Sequence, residues 1–323
     1  RALFGARSAR AAGGEGMSAA HEAAFPAEPA PARAEANWRR VWREFAESRI
    51  ALAALAGVIL VVAAAALAPV LAPQNPYDLR QLDILGNLLA PGAKSSAGYT
   101  HWLGTDDQGR DMLSGILYGL RISLGVGVTS GLIAAAAGMT IGLFAAYAGG
   151  RIEAFVMRIV DVQLSFPAVL VALILLAVLG RGAEKIVLAL VIVQWAYYAR
   201  TVRASALVEL NKEYVAAARC LAFGPGRILF RHILPNCLPP LLVVGTIQTA
   251  HAIALEATLS YLGIGMPLTE PSLGRLIANG YQYMLSGKYW ISVFPGIALL
   301  IAIASINLVG DQLRDVLNPR LTR

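Results

Sequence analysis

Residues 50–71 read IALAALAGVILVVAAAALAPVL, and no charged side chain interrupts them. The hydrocarbon core of a bilayer is about 30 Å thick, and an α-helix needs about 20 apolar residues to cross it. This stretch meets that length without a charge. It therefore predicts the first membrane-spanning helix of the chain.

The composition of the whole chain agrees with a membrane protein. Hydrophobic residues make up 57% of the 323 residues, charged residues make up 15%, and the mean hydropathy is +0.60. A soluble domain is about 45–50% apolar and about 25% charged, so an ordinary soluble enzyme and a disordered protein are both excluded. The two cysteines, Cys220 and Cys237, are too few for a disulfide scaffold.

Five further apolar runs follow the first, and the fold class they predict is an all-α integral membrane protein with six transmembrane helices. Pro167 lies near the start of the third run, and the fourth run is the weakest because it is short. Together the runs predict a transmembrane domain over residues 50–310, followed by a tail at residues 311–323. The predicted spans are residues 50–71, 122–147, 161–179, 186–204, 238–264 and 289–309.

The chain before the first span divides into two parts. Residues 1–36 are rich in Ala, Pro and Glu without an apolar period, which predicts a disordered tail. Because the first methionine is Met17, we expect residues 1–16 to lie outside the native chain; a natural leader is the alternative. Over residues 37–49, bulky apolar residues recur at helical spacing between arginines. This pattern predicts an amphipathic helix at the membrane interface.

Lys and Arg residues are unevenly distributed among the predicted loops. If the N-terminus is cytoplasmic, most of these residues lie inside, including the basic cluster within residues 200–231. Membrane proteins carry an excess of Lys and Arg in their cytoplasmic loops. Both termini are therefore predicted in the cytoplasm, and the net charge of +7 needs no nucleic-acid partner to explain it.

The sequence carries no recognisable catalytic or nucleotide-binding motif. It has no G-x-x-x-x-G-K-[ST] loop for ATP, its four histidines do not cluster, and no serine has a nucleophile-elbow context. We expect no catalytic residue, no metal and no cofactor in this chain. Glu256 is the one ionisable residue clearly inside a span, whereas Asp161 lies near a cytoplasmic end. This scarcity argues against an ion-coupled carrier and suggests that another chain supplies the energy.

The roles of several residues inside the spans stay open at this point. Gly127, Gly131, Gly138 and Gly142 lie on one face of the second span, where small residues let another backbone approach closely. Packing within the chain is favoured over a face for a second subunit. Glu256 either contacts a substrate or gate, or makes an internal hydrogen bond that fixes helix packing, and the second is favoured.

The predicted cytoplasmic loop between the fourth and fifth spans is the most informative segment. Residues 199–236 read ARTVRASALVELNKEYVAAARCLAFGPGRILFRHILPN. Residues 213–223 predict a compact helix that ends at Gly224-Pro225-Gly226, and a second helical piece runs towards Leu234-Pro235. A short helix held between two turns can insert into a groove on a cytoplasmic partner.

This loop resembles the EAA loop of ABC-importer permeases. The segments EYVAAAR (213–219) and RHILPN (231–236) are similar to the version found in the dipeptide, oligopeptide and nickel transport group. The second, C-type permease of such systems fits best. Further segments resemble the same group in chain order, at residues 101–124, 158–173, 256–274 and 294–321.

The resemblance implies a type I ABC permease fold in which the loop at residues 205–236 couples the spans to an ATPase. It places the Ala-Ala pair of the loop at Ala217-Ala218 and the terminal Leu-Pro at Leu234-Pro235. The usual glycine is replaced by Ala222, which is small enough for the same close packing. The residues implied in coupling are Glu213, Tyr214, Ala217, Ala218, Arg219, Leu221, Ala222, Phe223, Gly224, Pro225, Leu234 and Pro235.

The resemblance also implies partners and a mechanism. The partners are a second homologous permease subunit, two cytoplasmic ATPase subunits that bind ATP and Mg, an extracytoplasmic solute-binding protein and the lipid bilayer. The implied protein is a multi-pass subunit of the bacterial cytoplasmic membrane that moves peptides or similar small solutes by alternating access. An ion-coupled secondary carrier and a non-transporting membrane scaffold are the alternatives.

Overall fold

The computed structural model describes residues 37–82, 84–95, 98–267 and 269–317, and these residues are mostly helical. The predicted tail at residues 1–36 and the last residues, 318–323, lie outside the described part of the chain. Two compact units are separated after Trp42, and the description below concerns the second, which begins at Arg43.

The described helices follow one another along the chain with two short strands between the third and fourth. A π-helical turn at Ile228–Ile233 joins α9 to α10, and 3-10 turns lie at Leu79–Gln81, Ile84–Gly86 and Met284–Ser286. Strands β1 (Ala93–Lys94) and β2 (Thr100–His101) pair antiparallel. The helices are α1 (Asn37–Glu47), α2 (Arg49–Ala66), α3 (Ala68–Leu71), α4 (Met112–Ala148), α5 (Gly150–Ser165), α6 (Ala168–Leu179), α7 (Ala183–Leu210), α8 (Glu213–Cys220), α9 (Pro225–Arg227), α10 (Leu234–Tyr261), α11 (Leu273–Tyr281) and α12 (Trp290–Leu317).

Five helical runs are long and apolar enough to cross a membrane: α2, α4, α7, the continuous run Pro225–Tyr261, and α12. Helices α5 and α6 pass the same test only as a pair, which is bent by 92°. When that pair is counted as one broken span, the described chain has the six spans of the predicted all-α membrane fold.

The break between α5 and α6 differs from the single third span predicted at residues 161–179. α5 ends at Ser165, and Phe166 has an extended backbone with φ −93° and ψ 141°. Pro167 explains the break, because a proline disfavours the helical conformation of the residue before it. Asp161 therefore belongs to α5, where its carboxylate pairs with the guanidinium of Arg200 on α7, and both side chains are more than half exposed.

Several helices extend beyond the apolar runs that predict them. α4 begins at Met112, well before Arg121, and α12 continues to Leu317, past Asp311. The run Pro225–Tyr261 also begins before the predicted span at residues 238–264. Hydropathy marks the apolar part of a helix, whereas the backbone hydrogen bonds continue through its polar ends.

α4 packs closely against α7 and α10 through the glycines of its small-residue face. A Cβ atom added at either Gly138 or Gly142 would come within 2.3 Å of a main-chain carbonyl oxygen of α7. A Cβ at Gly127 or Gly131 would instead meet side-chain atoms of α10 at 2.7 and 3.4 Å. The four glycines therefore serve contacts between helices of this one chain, two with each neighbour.

The segment between α3 and α4 is fixed to the start of α4 by buried polar groups. The Asp111 carboxylate caps α4, since it accepts hydrogen bonds from the main-chain N–H and the hydroxyl of Ser114, both at 2.8 Å. Its other oxygen lies 2.9 Å from Nδ1 of His101 in β2. The main-chain N–H of Asp111 donates to the side-chain oxygen of Gln74 at 2.7 Å. Asp111 thus joins three parts of the segment through its carboxylate and its main-chain N–H.

Asp106 is a second buried carboxylate of this segment. It accepts hydrogen bonds from the main-chain N–H groups of Gln108 at 2.9 Å and Arg110 at 2.8 Å. Burial nevertheless raises the pKa of the Asp106 carboxyl to about 6, because the cost of desolvating the charge exceeds the gain from these bonds. The stability of this segment should therefore depend on pH.

Candidate functional site

α8 is an alanine-rich helix with one buried face and one exposed face. Val215 and Ala218 are 0% and 4% exposed, and they belong to a core cluster with side chains of α4, α7 and α10. Residues three apart lie on the same side of a helix, so these two form one narrow stripe. Glu213, Ala217 and Arg219 lie outside that stripe and are exposed. α8 thus rests on the rest of the chain by one side only.

Polar contacts hold the beginning of α8 in place. The Tyr214 hydroxyl donates to the Glu209 carboxylate at 2.7 Å, and the Lys212 ammonium lies 2.7 Å from the other oxygen of Glu209. The Asn236 amide donates to the Tyr214 oxygen at 3.2 Å. Burial and the hydrogen bond to Glu209 raise the pKa of Tyr214 to about 12, so the hydroxyl remains a donor at neutral pH. These side chains connect α7, α8 and α10.

The turn after α8 requires a left-handed residue at position 222. The N–H of Phe223 donates to the carbonyl of Ala218 at 3.1 Å, and the N–H of Ala222 donates to the carbonyl of Arg219 at 2.9 Å. Ala222 has φ +54°, a conformation that costs a residue with a Cβ about 1–2 kcal/mol and that glycine adopts freely. A glycine at this position would adopt the conformation without cost, and Ala222 therefore introduces strain.

Aromatic contacts hold the residues that follow this turn. The rings of Phe223 and His232 are stacked, with 5.7 Å between their centroids and 16° between their planes. The guanidinium carbon of Arg227 lies 4.1 Å from the centroid of the Phe223 ring, which is a cation–π contact. Arg219 lies 6.0 Å from the ring centroid of Tyr147. Both arginines are positioned by rings while they remain exposed.

Leu234 and Pro235 lie inside a helical run and do not end it. α9, the π-helical turn and α10 form the continuous run Pro225–Tyr261. Pro235 has no N–H to donate, and a wider π-helical turn directly before it lets the helix continue in a changed hydrogen-bond register. The predicted coupling loop therefore ends as the first turns of a long helix. Leu234 is half-buried there and Pro235 is exposed.

The exposed side of α8 and its turn forms one surface, which we call the docking surface. Leu221 at the end of α8 is 68% exposed, although leucine is usually buried. The docking surface consists of Glu213, Ala217, Arg219, Leu221, Gly224 and Pro225, all exposed.

The two alanines of the predicted Ala-Ala pair differ in burial. Ala218 is 4% exposed and faces the core cluster of the chain itself, whereas Ala217 belongs to the docking surface. Ala218→Arg, which the sequence pattern suggests as a test of docking, would bury a charge in this core. Its effect would therefore report on folding, so a test of docking has to substitute an exposed residue of the docking surface.

Glu256 lies at the centre of a buried polar cluster between α4 and α10. The Ser123 hydroxyl of α4 donates to one carboxylate oxygen at 2.7 Å, and the Ser260 hydroxyl donates to the other at 2.8 Å. The Ser260 oxygen also accepts from the N–H of Met266 at 3.2 Å. Glu256 is 0% exposed. This geometry suits a residue that fixes helix packing.

The predicted coupling residues come together in one region, whereas Glu256, Asp161 and the four glycines lie on other elements. Sequence reasoning missed Glu209 and Asn236, which hold Tyr214 in place. Their only signal was their position just before and just after the segment 213–235. It also missed Gln194 on α7 and Gln248 on α10, whose side chains are buried.

Comparison with known proteins places the chain in a family. A family described as "Binding-protein-dependent transport system inner membrane component" matches residues 138–323, and "N-terminal TM domain of oligopeptide transport permease C" matches residues 37–91. A di/tripeptide transport system permease protein of Pseudomonas aeruginosa is 35% identical over 284 residues, which are 88% of this chain and 92% of the relative. A dipeptide transport system permease protein of Escherichia coli K12 is 41% identical over 281 residues, which are 87% of this chain and 92% of the relative.

A solved structure shares the fold. The chain is similar to a subunit of the MetNI methionine ABC transporter in an inward-facing conformation, with a TM-score of 0.52 and 21% identity over 64% of this chain and 98% of that one. The predicted type I ABC permease fold is thereby confirmed, and α8 with its turn falls within the region that the first family matches. The chain belongs to the family of binding-protein-dependent transport system inner membrane components, the permease subunits of ABC importers.

Proposed function

We propose that this chain is the C-type permease subunit of an ATP-driven importer for short peptides or similar small solutes, and that its docking surface contacts a cytoplasmic ATPase subunit. The observation that carries the proposal is the two-sided character of α8, which is anchored on one face and exposed on the other. The relatives named above, with peptide permeases among them, support the substrate class.

The contacts of α8 suggest how movement would reach the spans. Glu209 belongs to α7 and Asn236 to α10, and both are hydrogen-bonded to Tyr214. A displacement of α8 by an ATPase would therefore pull on two spans at once. Alternation between outward-open and inward-open states, driven by ATP binding and hydrolysis in the partner, is the mechanism that this arrangement supports.

Partner subunits would supply the ATP-binding sites, the other half of the pathway and the delivery of substrate. ATP and Mg²⁺ would be bound by two ATPase subunits, and a second homologous permease subunit would form the other half of the pathway. A solute-binding protein would deliver substrate on the extracytoplasmic side. With the docking surface facing the ATPases, both termini lie in the cytoplasm, as the distribution of Lys and Arg also predicts.

The experiment compares two leucine-to-arginine substitutions at exposed positions. Leu221→Arg alters the docking surface, and Leu285→Arg is the matched control in the connection before α12, where Leu285 is 102% exposed. Neither substitution buries a charge, so both proteins should insert and fold. Loss of an interface hot spot costs about 2–4 kcal/mol, so Leu221→Arg should weaken association with the ATPase subunits at least about 30-fold.

Two measurements decide the outcome: co-purification of the ATPase subunits, and ATP-driven uptake of a labelled dipeptide into proteoliposomes that contain the binding protein. Both should fall for Leu221→Arg and stay unchanged for Leu285→Arg. Equal association and uptake in the two variants would contradict the docking role. Uptake driven by an ion gradient without ATP would favour a secondary carrier, and a complete complex that moves nothing would favour a scaffold.

A further inference from the structure

The ionisable side chains within the predicted spans are confined to three neighbouring helices. The spans on α2, α4 and α12 contain no Asp, Glu, Lys, Arg or His, whereas the others contain five such residues. α7 carries two of them and packs against both α5 and α10. Because His251 also lies inside a span, the interpretation of Glu256 as the one ionisable residue clearly inside is incomplete. The five residues are Asp161 on α5, Arg200 and Arg203 on α7, and His251 and Glu256 on α10.

Three of these side chains are exposed at membrane depth. The Asp161 carboxylate pairs with the Arg200 guanidinium, yet the two side chains are 58% and 52% exposed. His251 is exposed as well, and its imidazole forms no hydrogen bond or ion pair within the described part of the chain. Ionisable residues in transmembrane segments almost always face the interior of a bundle or a water-filled cavity, because hydrocarbon does not solvate charge. We call the side formed by α5, α7 and α10 the polar side, and it does not face lipid.

The exposed residues on the remaining long helices suit contact with lipid. Leu60 on α2 and Leu132 on α4 are each 67% exposed, and Leu300 on α12 is 65% exposed. Each lies well inside its predicted span, where leucine favours insertion into the bilayer. The surface of the spans is therefore divided, with an apolar part for lipid and the polar side for another environment.

His251 lies at the depth expected of a substrate site. Position 251 is the middle of the span predicted at residues 238–264, about 20 Å along the helix from either end. Many transporters hold their substrate near the midplane of the bilayer. His251 also lines a cavity of about 200 Å³ between α6, α7 and α10, together with Tyr197 and Thr258. One water molecule takes up about 30 Å³ in the liquid, so this cavity has room for several.

The imidazole of His251 is the exposed ionisable group of the polar side that is left without a partner. Asp161 and Arg200 satisfy each other. A neutral imidazole has one N–H donor and one acceptor nitrogen, and a protonated one has two donors. In either form it can donate to a carbonyl or carboxylate oxygen, and every peptide carries both kinds of oxygen.

We propose that the polar side forms a wall of the aqueous substrate pathway in the assembled importer, and that the His251 imidazole donates a hydrogen bond to a carbonyl or carboxylate oxygen of the passing peptide. A dry interface with the second permease subunit would also keep this side away from lipid. The exposed pair of Asp161 and Arg200 favours water, because both charges would lose their hydration in a dry interface. The inference rests on the proposed function as a peptide permease, since it names residues that the substrate passes.

Cysteine labelling tests whether the polar side faces water. His251→Cys is compared with Leu300→Cys, a matched control near the middle of the span on α12, in the complete importer in nanodiscs with ATP. The reagent is a positively charged methanethiosulfonate, and peptide mass spectrometry reads the modification at each position separately from Cys220 and Cys237. A charge at the centre of a bilayer is disfavoured by a factor of about 70 or more, so His251→Cys should react at least about 50-fold faster. Equal rates, whether fast or slow, would overturn the proposed wall.

Uptake of labelled Ala-Ala tests the contact with the peptide. The assay uses proteoliposomes that contain the complete importer and its binding protein. Hydrogen bonds to charged groups contribute a factor of about 10 to 100 to an equilibrium constant, so His251→Leu should lower uptake about tenfold. His251→Gln keeps an N–H donor and should recover most of the uptake. Both variants should keep the thermal midpoint of the wild type, because the position is exposed. Unchanged uptake in His251→Leu, or no recovery in His251→Gln, would overturn the contact.

The two experiments separate this inference from the proposed function. If the wild-type complex does not take up Ala-Ala, the peptide substrate of the proposed function is wrong, and the labelling still decides whether the polar side faces water. If the wild type takes up Ala-Ala while His251→Cys and Leu300→Cys react equally, the wall is wrong and the proposed function stands.

Discussion

Replacement of glycine by alanine at two positions of α4 should change the stability of the protein in opposite directions. At Gly142, an added Cβ would lie 2.3 Å from the carbonyl oxygen and 2.8 Å from the Cα of Ala199. Both are main-chain atoms of α7, so no side-chain rotation can relieve the clash. The two helices must separate locally by about 1 Å before the contact reaches an ordinary van der Waals distance.

The structure gives the size of both effects. Overpacking in a well-packed core costs about 1–3 kcal/mol, and the cost at Gly142 falls in this range because main-chain atoms have to move. At Gly131 the nearest atom is the Thr249 hydroxyl oxygen at 3.4 Å, an ordinary contact. There the methyl group fits, and the higher helix propensity of alanine adds up to about 1 kcal/mol. The two variants should therefore differ by about 1–4 kcal/mol.

Thermal unfolding of the purified chain in one detergent measures this difference, with the folded fraction followed by size exclusion after heating. One kcal/mol corresponds to about 2–4 °C for chains of 150–250 residues, so the midpoint of Gly142→Ala should lie several degrees below that of Gly131→Ala. Gly125→Ala is the control for helix propensity alone, since no atom lies within 4 Å of its added Cβ. Equal midpoints for Gly142→Ala and Gly131→Ala would refute the close contact between α4 and α7.

Three further predictions concern single side chains. Ala222→Gly should stabilise the protein by up to about 1 kcal/mol and so raise its thermal midpoint, because glycine removes the strain at φ +54°. A lower midpoint in the variant would contradict the left-handed turn. Burial raises the pKa of Asp106 from its ordinary 3.8 to about 6 in the folded chain, so the protein should lose stability as the pH rises from about 4 to about 6. Asp106→Asn should remove this dependence. If the thermal midpoint of the variant changes with pH in the same way as that of the wild type, Asp106 is not its source. The free energy of unfolding of Glu256→Gln should stay within about 1 kcal/mol of the wild type, because serine hydroxyls both donate and accept. Glu256→Ala should lose about 2–4 kcal/mol of stability, because it leaves a cavity and two unpaired hydroxyls. A Glu256→Gln variant that is inactive but has a normal thermal midpoint would show a role in transport.

The sequence predicts the number of spans because burial in lipid imposes a requirement that each segment meets by itself. The run at residues 50–71 needs no information from elsewhere in the chain to be recognised. The ends of helices are less predictable, since α4 begins at Met112, before Arg121, and Asp111 caps this polar beginning. Pro167 signalled a disturbance in the third span, but its sequence position did not reveal a bend of 92°.

The sequence predicts which segment forms the candidate site, but it does not predict which side chains of that segment are exposed. The pattern of residues 213–225 located α8, yet only packing against α7 and α10 distinguishes the buried Ala218 from the exposed Ala217. The strain at Ala222 depends on a backbone angle that the residue type does not encode. The side-chain oxygens of Gln194 and Gln248 are buried and have no hydrogen-bond partner among the described residues. This depends on which side chains of other helices come near them, and that information exists only in the folded chain.

The continuous run Pro225–Tyr261 has a mechanical consequence. Its 37 residues make a rod about 55 Å long, which exceeds the thickness of the hydrocarbon core. The part of this run nearest α8 contains the π-helical turn and three prolines that have no N–H to donate, Pro235, Pro239 and Pro240. Compliance is thus concentrated near α8, and the remainder, which carries Gln248 and Glu256, behaves as a stiff lever. This lever, residues 241–261, is about 32 Å long, so a tilt of about 10° sweeps its far tip through roughly 5 Å, enough to open or shut a passage for a small solute.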